Sequence, residues 1–131
     1  MDKEPLVSEQ IAAGEQLIRE FADKISVCAA FWLREQDSDQ WYLYLASDEI
    51  DDSKLDFAYG TVLQIIKPFQ SLWLDPFQVK VLGTDSLVAK AAMDVMKKYP
   101  GNLATRYNGR EFGGLSVDEV VIYPIPLPAA S

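Results

Sequence analysis

Two apolar, aromatic-rich runs flank a short polar segment in residues 27–45, which read VCAAFWLREQDSDQWYLYL. Runs of this composition predict β-strands, and the polar residues 34–40 between them predict the turn of a β-hairpin. Both runs are apolar at successive positions, so both faces of each strand need cover. We therefore expect this hairpin at the centre of a sheet, under helices.

Three segments have the spacing of apolar residues that predicts an amphipathic helix. The first spans about residues 8–22. The second spans about residues 52–67, and Pro68 is expected to end it. The third spans residues 86–99 and is expected to stop at Pro100.

Three further strands complete the predicted sheet. Residues 77–82 alternate between apolar and polar side chains, which places Phe77 on the same face as the two valines of this segment. Residues 103–107 and 117–123 predict the last two strands.

Two glycine signals lie between the last two strands. Asn108-Gly109 is the strongest two-residue turn signal in the chain, and it directly follows residues 103–107. Gly113-Gly114 is expected to form a bulge or a kink. The sequence therefore predicts a hairpin that turns at Asn108-Gly109.

The predicted order of elements is α-β-β-α-β-α-β-β. Strands joined by helices favour parallel pairing, whereas the two hairpins add antiparallel pairs. The expected fold is α+β, with one mixed five-stranded sheet and helices packed on it. A single domain is expected over residues 1–124, followed by a Pro-rich extended tail over residues 125–131.

The residue composition excludes most common catalytic designs. The 131 residues include no histidine and one cysteine, Cys28, so no Ser-His-Asp triad, Cys-His dyad or histidine metal site can form. Cys28 lies in an apolar run, so we expect an inert, buried thiol. We expect no cofactor, and a binding function is favoured over an enzyme.

The location of the protein is predicted by elimination. The charged N-terminus lacks the apolar core of a secretion signal, and no apolar run approaches the roughly 20 residues that span a bilayer. We expect a cytoplasmic protein that does not bind membranes. Its net charge of −8 also makes nucleic acid an unlikely partner.

The charge is distributed unevenly, and this indicates a candidate binding site. Residues 1–66 hold 14 acids and 5 bases, whereas residues 67–131 hold 6 acids and 7 bases. Arginines near a tight turn can grip an anion, and glycine N–H groups can assist. The predicted anion- or partner-binding residues are Arg106, Arg110, Lys97, Lys98, Gly113 and Gly114. The simpler interpretation is a hairpin with solvated arginines.

An acidic run over residues 48–56 is a weak candidate for a metal site. Asp52 and Asp56 are four residues apart on a predicted helix, and Asp48 precedes them. The run lacks the spacing of a calcium loop. Acidic residues also collect at helix N-termini because the dipole stabilises negative charge, and we favour this explanation.

Five aromatic side chains could line a ligand pocket, but a protein of this size more often uses them in its core. We expect core or cross-strand packing for Trp32, Trp41, Tyr42, Tyr44 and Trp73.

Several quoted segments resemble a family of small bacterial α+β domains without an assigned function. The similar segments are FWL at 31–33, WYLYLAS at 41–47, GGLSV at 113–117 and VIYP at 121–124. The resemblance spans about residues 27–124. It implies a single domain type and no particular activity.

These observations favour a small, non-catalytic, cytoplasmic protein-interaction or regulatory domain. Its acidic N-terminal half and basic C-terminal hairpin offer complementary surfaces for another protein or for a second copy in a homodimer. The alternative is an enzyme or sensor domain that binds a small anionic ligand through Arg106 and Arg110.

Overall fold

A computed structural model describes residues 6, 8–51, 53–69, 74–101 and 103–127. Within these residues the chain forms three α-helices and six β-strands. The helices are α1 (Ser8–Ala22), α2 (Leu55–Phe69) and α3 (Leu87–Lys98). The strands are β1 (Ala29–Glu35), β2 (Tyr42–Ser47), β3 (Val79–Gly83), β4 (Thr105–Tyr107), β5 (Glu111–Phe112) and β6 (Leu115–Ile122). The predicted α+β class is confirmed.

The sheet has β1 at its centre and the strand order β3-β2-β1-β6-β4. β2 and β3 are parallel, whereas the other neighbours are antiparallel. β5 pairs with the start of β6 outside this order, so a short sixth strand joins the five that were predicted. The mixed sheet and the central hairpin of β1 and β2 are confirmed.

Helices cover both faces of the sheet. Successive residues of β1 point to opposite faces, so each face receives apolar side chains from this strand. On one face, Trp32 packs in a cluster with Leu17 of α1 and Val62 of α2. On the other face, Phe31 packs in a second cluster with Ala92 of α3. Six of the seven residues of β1 are buried, as the apolar character of both its faces predicts.

The second helix differs from its prediction at both ends. α2 begins at Leu55, three residues later than expected, and continues through Pro68 to Phe69. The prediction that Pro68 ends the helix was wrong. Proline has a helical φ, and its missing N–H and its ring affect the preceding turn, so the chain can remain helical for one further residue.

The segment before β3 forms a 3-10 turn (Pro76–Gln78), and not the start of the strand. Asp75 accepts a hydrogen bond from the Phe77 N–H (2.8 Å), and its own N–H donates to the Gln78 side chain (3.0 Å). This reciprocal capping closes the turn. Phe77 is therefore 90% exposed and does not share the buried face of Val79.

The C-terminal hairpin turns at Gly113-Gly114 and not at Asn108-Gly109. Gly113 and Gly114 have φ values of 57° and 85°, and they join β5 directly to β6. Two successive positive φ angles are what a tight hairpin turn requires. Asn108-Gly109 lies between β4 and β5, which both pair with β6, so the predicted turn was wrong.

A buried hydrogen-bond chain joins the sheet to α1. Trp32 Nε1 donates to the Tyr123 hydroxyl (2.8 Å), and this hydroxyl donates to the carbonyl of Ile11 (2.7 Å). Gly14 of α1 faces the same hydroxyl. The absence of a side chain at Gly14 lets the helix approach this pair of aromatic residues closely.

The aromatic prediction is largely confirmed, and the thiol prediction is not. Trp32, Trp41 and Tyr44 are buried, and Tyr42 is half-buried, whereas Trp73 lies outside the described residues. Cys28 directly precedes β1 and is half-buried, so the expected full burial of its thiol is not seen.

The segment that follows β6 packs on the domain. Ile125 and Leu127 are partly buried against the cluster of α1 and α2. Residues 128–131 of the predicted tail lie outside the described residues.

Candidate functional site

The last turn of α3 carries two of the predicted basic residues. Ser86 begins this helix by accepting a hydrogen bond from the Ala89 N–H (3.2 Å). The buried stripe of α3 faces the second cluster, which leaves Lys97 and Lys98 exposed. Positive charge is favoured at this end of a helix because the dipole is negative there.

β4 directs two side chains toward the α3 side of the sheet. Thr105 and Tyr107 pair with Ile122 and Val120 of β6, which belong to the second cluster. Residues directly opposite each other in a sheet share a face. The Tyr107 ring packs edge-on against Phe112, with 5.1 Å between the ring centroids.

Arg106 points to the opposite face of the sheet. It pairs with Val121, which belongs to the cluster of α1 and α2. Its guanidinium group forms an ion pair with the carboxylate of Glu119 on β6. The charge of this arginine is therefore already matched within the protein.

Two adjoining grooves lie between the C-terminal half of α3 and β4, and both include Tyr99 and Thr105. Their volumes are about 510 and 350 Å³. We call the pair the α3–β4 groove. Its principal apolar side chains are Met93, Met96, Tyr99, Leu103, Ile122 and Ile125.

The charged residues that line the α3–β4 groove are all basic. They are Lys97, Lys98 and Arg106, and among the described residues no acidic side chain lines either groove. The whole chain, in contrast, has 20 acids and 12 bases. With Arg106 paired to Glu119, the two lysines provide the positive charge available to a ligand.

Two residues of this groove have exposures that the sequence did not reveal. The Tyr99 side chain is 65% exposed and that of Leu103 is 84% exposed. The sequence predicts Tyr99 at the end of a helix and Leu103 at the start of a strand. Their only sequence signal is their proximity to Lys97 and Lys98.

The remaining predicted basic-site residues lie elsewhere. Arg110 is exposed, and its carbonyl accepts the Val117 N–H (2.9 Å). A Cβ atom at Gly113 would lie 2.5 Å from the backbone of Val88 in α3. This close packing leaves little room for an anion beside Gly113, and neither it nor Gly114 lines the α3–β4 groove.

The carboxylates of the acidic run accept hydrogen bonds from neighbouring serines at the end of β2. Glu49 accepts a hydrogen bond from the Ser26 N–H (2.6 Å), and this bond lowers the pKa of Glu49. Asp48 accepts from the Ser26 hydroxyl (2.7 Å). Asp51 accepts from the Ser53 hydroxyl (2.6 Å), and this hydrogen bond lowers the pKa of Asp51. These carboxylates stabilise the turns that lead into α2.

The metal candidates do not form a recognisable site in the described part of the chain. There, no group of three or more acidic or cysteine side chains is placed to hold a metal ion. Asp56 is exposed in the first turn of α2, and Asp52 lies outside the described residues.

The acidic and basic surfaces lie at opposite edges of the sheet. Asp48, Asp51 and Asp85 line a groove of about 440 Å³ beside the end of β3, whereas the α3–β4 groove lies beside β4. β3 and β4 are separated by four strand spacings, or about 19 Å. At this separation the two surfaces do not neutralise each other directly, since it exceeds the Debye length of ~8 Å at physiological ionic strength.

Comparison with protein-family models, curated proteins and solved structures finds no match for this chain. The resemblance to a bacterial family of unassigned function therefore stays a prediction. Among the described residues, no helix has the length and apolar character needed to cross a membrane.

Proposed function

We propose that this chain is a non-catalytic binding protein that docks a partner protein in the α3–β4 groove. The observation that carries this proposal is an apolar groove that holds Lys97 and Lys98 and, within the described residues, no acidic side chain, in a chain of net charge −8. Such a groove attracts an acidic, partly apolar surface. A cytoplasmic location stays a prediction.

The chemistry of the groove supports binding more than catalysis. A general acid or base must reach a bound substrate, and the described lining of the groove offers no carboxylate, only the exposed Lys97, Lys98 and Tyr99 and the half-buried Tyr107. Tyr107 lines the groove, but its hydroxyl donates to the carbonyl of Glu111 (2.7 Å).

A small anionic ligand is the second candidate. The predicted clamp of Arg106 and Arg110 is weakened as an explanation, because Glu119 already holds Arg106. Lys97 beside the apolar side chains of Met93 and Met96 would instead suit a small organic acid.

The test is an affinity capture from the lysate of the native host. The baits are wild type, the charge-reversal variant Lys97→Glu/Lys98→Glu, and the control variant Lys67→Glu/Lys90→Glu. The control lysines are also exposed on helices but line neither groove. We expect wild type and the control variant to capture the same protein, and the Lys97→Glu/Lys98→Glu variant not to capture it. Circular dichroism of each bait checks that it is folded.

Two outcomes would contradict the proposal. A protein that all three baits retain equally would bind elsewhere, and one that both variants lose would respond to total charge alone. A thermal-shift screen of phosphates and organic acids tests the second candidate, since a ligand at about 100 times its Kd stabilises by about 2.7 kcal/mol. Such a shift, lost in Lys97→Gln, would favour the small anion.

A further inference from the structure

We infer that the partner contributes an extended segment that adds to the outer edge of β4 as a new strand. The segment would carry apolar side chains at alternate positions and acidic side chains between or beside them. This inference rests on the proposed function, because it describes how that same groove is occupied.

The two edges of the sheet differ in how they are covered. At the β3 edge, the Val81 N–H donates to the hydroxyl of Tyr59 on α2 (3.0 Å), so a neighbouring helix occupies one of the groups that an added strand would need. At the β4 edge, no described strand pairs on the side that faces away from β6. An unpaired strand edge presents N–H and C=O groups that an extended peptide can bind.

The side chains around β4 are placed to contact alternate residues of an added strand. Thr105 and Tyr107 point to the α3 face, and both line the groove that lies between β4 and the end of α3. Alternate residues of an added strand would point the same way, about 7 Å apart. They would meet Met96 and Tyr99, which line the groove. The groove therefore favours apolar residues at every second position.

The charges select an acidic segment. Lys97 and Lys98 stand exposed on the rim formed by the end of α3. Elsewhere, the surface of a protein with net charge −8 repels an acidic peptide, so attraction is concentrated at this groove.

The short length of β4 explains why the groove is needed. Its three residues allow few backbone hydrogen bonds with an added strand. Each such bond adds little net affinity, because it replaces hydrogen bonds that both groups make to water. Apolar contacts in the groove and the two lysines must therefore supply the remaining affinity and the specificity.

The test uses a fluorescein-labelled peptide of alternating Glu and Val, about ten residues long. Fluorescence anisotropy is expected to show binding to wild type, and about tenfold weaker binding to Lys97→Gln/Lys98→Gln. The matched control Lys67→Gln/Lys90→Gln should bind like wild type. A peptide with Lys in place of Glu should not bind. Amide hydrogen exchange at Thr105–Tyr107 should slow in the complex.

Backbone methylation separates strand addition from binding by side chains alone. In a strand, the N–H groups of every second residue point to the same side. Methylating all the Val nitrogens or all the Glu nitrogens should therefore abolish binding in only one of the two peptides. Equal binding of both methylated peptides would overturn strand addition, while the proposed function would stand if the lysate capture succeeds.

Three other results would also overturn the inference. The first is failure of every Glu-Val peptide to bind wild type. The second is displacement of the peptide by decanoate without slowed exchange in β4, which would assign the groove to a small amphipathic acid. The third is a dimer, seen by analytical ultracentrifugation, that the Lys97→Gln/Lys98→Gln variant dissociates, which would assign it to a second copy.

Discussion

Replacing Gly14 with alanine should destabilise the protein, although alanine normally stabilises a helix interior by about 1 kcal/mol relative to glycine. The added methyl group would overlap the Tyr123 hydroxyl and lie 3.0 Å from Trp32 Nε1 and 3.4 Å from Leu43 Cδ2. Overpacking of this kind costs about 1–3 kcal/mol. The expected net loss in the free energy of unfolding is therefore about 1 kcal/mol, and at most about 2 kcal/mol.

The substitution Tyr123→Phe removes the atom with which that methyl group collides. By itself it should cost about 1–3 kcal/mol, because Trp32 Nε1 loses its buried acceptor. In this background, Gly14→Ala should cost little or nothing, since the methyl group occupies the space that the hydroxyl leaves. The double variant should be about 1–2 kcal/mol more stable than the sum of the single effects.

Urea unfolding followed by far-ultraviolet circular dichroism measures all four proteins of this cycle. Gly60→Ala in α2 is the control, because a Cβ atom there meets nothing within 4 Å. It should stabilise both backgrounds by up to about 1 kcal/mol. The packing argument is refuted if Gly14→Ala stabilises wild type as Gly60→Ala does, or if its cost with Tyr123→Phe is additive within about 0.5 kcal/mol.

Two other sites give further predictions. Gly113→Ala should lower the free energy of unfolding by more than roughly 2 kcal/mol, because a Cβ atom there combines a left-handed φ with contact to the Val88 backbone. Gly114→Ala has only the left-handed φ and should cost about 1–2 kcal/mol. Urea unfolding measures both variants, and equal losses would contradict this explanation. Burial, with a smaller effect of Glu35, raises the pKa of Tyr44 to about 12. The folded state therefore favours the neutral phenol, and this stabilisation is present below pH ~10 and lost as the pH rises toward 12. Urea midpoints at pH values near 9 and 11 should show a fall that is smaller in Tyr44→Phe; an unchanged fall would refute the assignment.

The elements of the fold could be predicted because their signals are local. The apolar stripe of α1 and the two apolar runs of the central hairpin each identify their element without reference to distant residues. The C-terminal turn could not be predicted in this way. Asn108-Gly109 has the stronger intrinsic turn preference, but the hairpin turns where β6 pairs with β5 and where Gly113 fits against α3. The contact between Gly113 and Val88 joins residues far apart in sequence, so no local signal could reveal it.

The candidate site was predicted only in part, for the same reason. Charge counting identified Lys97, Lys98 and Arg106, which do line the α3–β4 groove. It could not show that Glu119, thirteen residues away, pairs with Arg106. The apolar part of the groove depends on Ile125, which reaches it only because the chain packs on the domain after β6.

The Tyr59 hydroxyl also limits how many neighbours the sheet can accept. It holds the Val81 N–H of β3, so a strand added at that edge would have to displace it, whereas no described side chain is known to hold β4 in this way. A protein with two open edges can propagate pairing from molecule to molecule and grow into a fibre. By competing for one edge, the Tyr59 hydroxyl opposes such growth and favours a complex in which pairing through β4 stops at one partner.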